Sequence, residues 1–392
     1  MEVRVAPPVP SRTGAVSKQK NSMVFPGRVL YDTNGKRVQA HGGSLFYENN
    51  TYYFYGENKE KTTGKNKIWT WGVRCYSSKD FYNWKDEGLI IPPNLSDKKS
   101  LLYPTHFLDR PHIVRSPKTG QYVCWLKFSA KKESCFAVMT SENFRGPYRM
   151  IKSYFQPYGL EVGDFDILQS ADGCYLYFSN GRTGVAACRL TDDCTDVQGN
   201  YKMYYTGLTV PYCREGIAVF EQNNRVYMFT SGMTGYVPNA SQVAELNAPL
   251  GELTDLGSPY IDDPSGVSFH SQISSVFRHP DHANVFIALA DRWIPSLHFT
   301  KEESKRKMRA IAACCSRQYH AGLAEILSLA KLPLNCKKVN TSISDYVWLP
   351  VKMNGGKPEI AWHNAWSLEE LISETSPLSQ QQNNQNKEKG ES

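Results

Sequence analysis

The chain has ten cysteines but no C-x-x-C, and no Cys/His spacing of a metal site. That excludes a zinc ribbon or a thioredoxin-like redox centre, and no cofactor or metal is expected. There is no run of 18 apolar residues, so no helical membrane span is expected and no membrane partner. The first 23 residues hold charge, Pro and Ser without an apolar h-region, so residues 1–23 are expected to be a disordered leader, not a signal peptide. A cytoplasmic location follows. The net charge is +7, yet Lys and Arg are scattered apart from Lys301, Lys305, Arg306, Lys307 and Arg309. Without a concentrated basic footprint, no nucleic-acid partner is expected. Residues 373–392, with Gln380-Gln381-Gln382-Asn383-Asn384, are too polar to bury surface and are expected to be a disordered tail.

What is present is aromatic and strand-forming. The chain carries 23 Tyr, 17 Phe and 8 Trp. Five segments, beginning at residues 42, 109, 163, 214 and 271, share one order: polar or small residues, a short apolar strand, a turn, and a second apolar strand. The turns contain Asn49-Asn50, Thr119-Gly120, Asp172-Gly173, Asn223-Asn224 and the stretch 279–284, as hairpins require. Hairpins repeated at this spacing predict an all-β, five-bladed β-propeller over residues 24–372. A β-sandwich is the alternative, but it would not bring the polar start of every unit to one place. Residues 301–333 break the repeat with apolar residues at helical spacing, which predicts a helical insertion. Six cysteines (Cys75, Cys124, Cys135, Cys174, Cys188, Cys213) lie in apolar runs and are expected to be buried thiols.

In a propeller the innermost strands line one channel, so the polar starts converge on its mouth. They supply Asp109 and Arg110, Asp164 and Asp166, Arg214 and Glu215, and Ser271 and Gln272. Glu57 follows the second strand of the first unit; Asp291 and Arg292 end the fifth. Several carboxylates around one pocket suit glycoside hydrolysis, which needs a protonated acid and a group that activates water or attacks carbon. Neighbouring negative charge keeps the acid protonated. Trp69, Trp71, Trp125, Trp293 and Trp348 are candidate faces for a sugar ring. The expected ligand is an oligosaccharide.

The stretches VQAHGGSLFYENNTYYFYGEN, DRPHIVRSPKTGQYVCW, GDFDILQSADGCYLYFS, REGIAVFEQNNRVYMFTSGMTGYVPN, SQISSVF, ALADRW and YVWLP, in order from Phe25 to Trp366, resemble glycoside hydrolase family 43. The similarity is greatest to its exo-β-1,3-galactanase branch. The resemblance implies that Glu215 is the general acid and that Asp164 raises its pKa and orients it. The Asp that serves most of the family as base in the first blade is missing, because that position falls in His41-Gly42-Gly43. The branch lacks it too, and there a Gln is proposed as base through its imidic tautomer; Gln272 matches that Gln. Glu57, Thr234 and Asn239 match positions near the terminal sugar. Two departures touch that subsite: Asp109 stands where the branch has Glu, and Glu133 where it has a Tyr. The expected activity is an exo-acting, inverting glycosidase releasing galactose or a related sugar from a β-linked oligosaccharide. The alternatives are an α-L-arabinofuranosidase or β-xylosidase, or an inactive sugar-binding propeller.

Overall fold

The computed structural model describes residues 20–130 and 133–375. Residues 1–19 of the expected leader and 376–392 of the expected tail lie outside the described residues. Five four-stranded antiparallel sheets follow one another along the chain. Blade 1 comprises β1 (His41–Glu48), β2 (Thr51–Glu57), β3 (Val73–Ser78) and β4 (Lys85–Ile91). Blade 2 holds β5 (Phe107–Arg115), β6 (Tyr122–Ala130), β7 (Glu133–Ser141) and β8 (Arg149–Phe155). Blade 3 is β9 (Phe165–Ser170), β10 (Gly173–Ser179), β11 (Val185–Leu190) and β12 (Val197–Tyr204). In blade 4, β13 (Arg214–Gln222) and β14 (Arg225–Gly232) precede β15 (Gln242–Leu246) and β16 (Leu253–Asp255). Blade 5 closes the ring with β17 (Gln272–Arg278), β18 (Phe286–Arg292), β19 (Asp345–Asn354) and β20 (Lys357–Glu359).

Each expected hairpin is the inner pair of one blade. The Asn pairs take the left-handed conformation that two-residue hairpin turns demand: φ is 52° and 54° at Asn49 and Asn50, 52° and 60° at Asn223 and Asn224. Strands β1, β5, β9, β13 and β17 pack against one another around the axis. Apolar residues of adjoining blades interlock between the sheets. Blades 5 and 1, for example, share Trp348, Phe54, Phe81, Trp84 and Trp366. All six cysteines named above are buried in the blades.

The insertion between β18 and β19 is helical, with α1 (Lys301–Cys315) and α2 (Leu323–Ser328). A capping box starts α1: Thr300 accepts from the Glu303 N–H, and Glu303 reaches back to the Thr300 N–H. A third helix, α3 (Leu368–Thr375), runs through three residues of the expected tail because Leu368 and Leu371 are anchored in the core. No helix among the described residues is long and apolar enough to cross a membrane.

Candidate active site

Four of the five inner strands carry a bulge at the same end of the channel. The register slips between His41 and Ser44, Asp109 and His112, Glu215 and Ala218, and Ile273 and Ser275. A bulge bends the strand and re-aims the side chains beside it. The backbone is left-handed inside three of them, with φ of 56° at Gly42, 49° at Arg110 and 61° at Gly216. These bulges gather Asp109, Arg110, Glu215 and Gln272 at the mouth, and Asp164 joins them from the residue just before β9, the inner strand without a bulge.

Glu215 stands beside Asp164. Burial pushes its carboxyl up to about 8, and the Asp164 charge adds to the effect, while Lys127 and Arg110 pull it back. Glu215 therefore holds its proton at neutral pH, as a general acid must. Asp164 accepts from the Gly216 N–H at 3.1 Å and from Arg110 Nε at 3.2 Å, with Lys127 Nζ 3.8 Å away.

Gln272 is fixed on both ends of its amide. Its Oε1 accepts from Arg110 Nη2 at 3.0 Å and Trp293 Nε1 at 3.3 Å, and its Nε2 donates to Ser231 Oγ at 2.8 Å. Ser231 Oγ in turn donates to the Glu215 carbonyl at 3.3 Å. Arg110 is 3% exposed and spends its remaining donor on the Ile273 and Ser274 carbonyls. It positions the site, tying Asp164 to Gln272.

A polar wall flanks this trio. Glu57 pairs with Lys59 at 2.6 Å and accepts from the Arg110 N–H at 3.0 Å. Burial raises its carboxyl to about 7 against the pull of Lys59. Asp109 accepts from Trp69 Nε1 at 2.6 Å and pairs with Lys127 at 3.0 Å. Burial pushes the Asp109 carboxyl up, but Lys127 and Lys59 win and hold it below the usual carboxylate range. Tyr236 lies between two indoles, 6.0 Å from Trp69 and 4.8 Å from Trp293. A cavity of about 10 Å³ beside it is lined by Ser231, Tyr236, Gln272, Asp291 and Trp293. A roomier cavity of about 240 Å³ opens among the other ends of the inner strands, around His112, Asp166 and Glu221, and holds none of the trio.

Other candidates fall elsewhere. Trp348 and Trp125 are 3% and 0% exposed and belong to the interblade cores, so neither offers a face to a sugar. Apolar strand periodicity, not the mouth, placed them. Arg292 donates to the Phe269 carbonyl at 2.9 Å and stands over the Trp362 ring, apart from the trio. Trp71 is capped by Lys61, 3.6 Å from its ring centre. Thr234, by contrast, stays at the site, its backbone hydrogen-bonded to the Glu215 carboxyl, and Asn239 holds that loop by bonding both polar groups of Gly232 and donating to Thr234 Oγ1 at 2.6 Å. The side chain of Glu133 lies outside the described residues. His41 is fully buried against Asp291, 2.8 Å away, and stacks on Tyr346. A Cβ on Gly42 would come within 2.3 Å of Glu57 Oε1, so Glu57 already occupies the space a first-blade carboxylate would need. Among the described residues no cluster of three or more His, Cys, Asp or Glu is set to hold a metal.

Sequence reasoning missed Lys127, Lys59, Tyr236 and Ser231. The hairpin register was the available signal for two of them, since Lys127 lies opposite Asp109 and Ser231 opposite Glu215.

The profile of the glycosyl hydrolases family 43 matches residues 37–312. Among solved structures, a family-43 β-1,3-galactosidase is 26% identical, covers 91% of this chain and superposes with a TM-score of 0.72; this chain spans 65% of its length. An exo-β-1,3-galactanase from Phanerochaete chrysosporium, solved with galactose, is 19% identical over 90% of this chain and 70% of its own, with a TM-score of 0.69. One from Clostridium thermocellum is 22% identical over 88% and 66%, with a TM-score of 0.66. At those identities the last two likenesses show the fold. No curated protein matches the chain. With a family profile over most of its length, on five blades that converge where the family's motifs lie, this chain belongs to glycosyl hydrolases family 43.

Proposed function

We propose that the chain is an exo-acting, inverting glycosidase that frees a terminal galactose or related sugar from a β-linked oligosaccharide. The observation that carries this reading is Glu215, held protonated up to about pH 8 beside the carboxylate of Asp164. Glu215 protonates the glycosidic oxygen as the C–O bond breaks. A water on the opposite face adds to the anomeric carbon, with Gln272 in the position to orient it. The paired walls Glu57–Lys59 and Asp109–Lys127 present acceptors and donors for sugar hydroxyls, and Trp69 and Trp293 present flat faces. A sugar ring enters only when Tyr236 swings out of the gap between those indoles. The preference for galactose rests on the similarity to the β-1,3-galactosidase. A cytoplasmic location belongs to the same proposal: ten cysteines without the spacing of a disulfide scaffold suit a reducing compartment.

The test is Glu215→Gln assayed on two substrates. On a β-1,3-linked galactobiose, whose leaving group needs a proton, kcat should fall about 10²–10⁴-fold. On an aryl galactoside with a good leaving group the loss should be much smaller. Equal, slight losses on both would remove Glu215 from the role, and wild-type binding without turnover would favour a sugar-binding propeller.

A further inference from the structure

Although Lys and Arg are scattered along the chain, their excess over Asp and Glu falls mostly in one segment, longer than the run 301–309. Residues 301–338 hold nine Lys and Arg against three Glu, a net +6 out of the +7 of the whole chain. The fold puts this segment beside the active-site mouth. Val210 and Val237, which precede and follow the inner hairpin bearing Glu215, pack with Ile311, Leu329 and Leu332 of the insertion. Tyr319 lies 5.5 Å from Tyr212, three residues before Glu215. The insertion thus packs on the segments that precede and follow the Glu215 hairpin.

From there the chain crosses the mouth. At Gly235, next to Tyr236, a Cβ would meet Cys336 Sγ at 2.6 Å. Lys337 Nζ stands 4.8 Å over the Phe107 ring, which packs 4.3 Å from Trp69. At Gly64 a Cβ would meet the Lys338 carbonyl at 2.6 Å. Gly64 belongs to the loop after Glu57, which carries its own exposed Lys61, Lys65 and Lys67. The acid of that loop, Glu60, is occupied by Arg74 at 2.9 Å. Lys337 and Lys338 are exposed, and no ion pair forms at Lys65, Lys67, Lys337 or Lys338 among the described residues. Two sequence-distant lysine clusters therefore meet on the rim of the mouth that holds Glu215, Asp164 and Gln272.

We infer that this rim receives an anionic group, a sulfate or a uronate carboxylate, on the leaving-group part of the glycan. The inference rests on the proposed glycosidase reading and deepens it. A saccharide is favoured over nucleic acid because the lysines border the proposed sugar site, where a nucleic acid would need an extended basic track.

The experiment compares a neutral β-1,3-linked galacto-oligosaccharide with the same compound bearing a sulfate, or a uronate, next to the scissile bond. At low ionic strength the wild type should show a kcat/KM about tenfold higher on the charged compound, the scale of two exposed charge pairs. The advantage should fade toward 1 M salt, where the screening length falls to about 3 Å. Lys337→Glu/Lys338→Glu should abolish the ratio and Lys337→Arg/Lys338→Arg should keep it. A ratio near one in the wild type, or one unmoved by the Glu pair, overturns the inference and leaves the glycosidase reading intact. Failure to hydrolyse either compound sinks the glycosidase reading instead. Calorimetric binding of the two oligosaccharides to Glu215→Gln then still reads the charge preference. Competition by a short single-stranded oligonucleotide as strong as that by the sulfated saccharide would mark a general polyanion surface and overturn the assignment.

Discussion

At the scale of single residues, the site works by pushing apart the proton affinities of groups that sit together. Glu215 is raised to about 8 by burial first and by Asp164 second. Arg110 pairs with Asp164 at 3.2 Å, while Lys127 stands 3.0 Å from Asp109 and 3.8 Å from Asp164. Asp164→Asn removes the repelling charge and frees Arg110 from its pair, while Lys127 keeps its pair with Asp109 at 3.0 Å. The basic limb of kcat/KM, set by loss of the Glu215 proton, should therefore move from about pH 8 to lower pH; a limb that stays put with activity retained makes Asp164 structural. Gln272 is read differently at this scale than from its resemblance. Its oxygen already accepts from Arg110 and Trp293, so protonating Oε1 would require one of those donors to turn away. The bonds seen suit an amide that orients water.

At the scale of elements, the bulges decide what the inner strands can do. Regular strands would alternate their side chains between the interblade packing, whereas the slips at Asp109, Glu215 and Ile273 turn the site residues toward the axis. Gly216 shows how tightly this is set. It has φ of 61°, and an added Cβ would lie 2.4 Å from Ser231 Oγ and 2.9 Å from Gln272 Nε2. Gly216→Ala should cost about 1–2 kcal/mol of stability for the left-handed backbone. It should also cost about 10–100-fold in kcat, since a misplacement near 1 Å is worth that much. A variant that loses stability but keeps kcat would show that the bulge does not aim Glu215.

At the scale of the whole molecule, closure of the ring holds the mouth together. The last blade must pack on the first, and Trp348 does so among Phe54, Phe81, Trp84 and Trp366, its carbonyl accepting from Trp366 Nε1 at 2.8 Å. Trp348→Ala should lower the unfolding free energy by about 3–5 kcal/mol, as large aromatic deletions in cores do. Denaturant unfolding reads that loss, and KM for a sugar substrate should hardly move while the protein is folded. A raised KM with unchanged stability would return Trp348 to the sugar.

The amino-acid sequence by itself determined the blades. Alternation of apolar residues and the Asn and Gly of the turns are local properties, so the five inner hairpins and the helical insertion were legible residue by residue. Glu215, Asp164 and Gln272 were legible as equivalent positions of a repeat. The tertiary structure alone decided the rest, because the rest depends on which distant segments touch. Trp69 and Trp348 read alike in sequence, yet one faces the mouth and the other fills a core. Arg110 became a positioning residue only when blade 5 brought Gln272 to it. Lys337 and Lys338 follow the insertion and carry no signal in the sequence; the fold brings them against a lysine loop more than 260 residues earlier in the chain. Burial and charge at the site arise from those contacts, which no local pattern encodes.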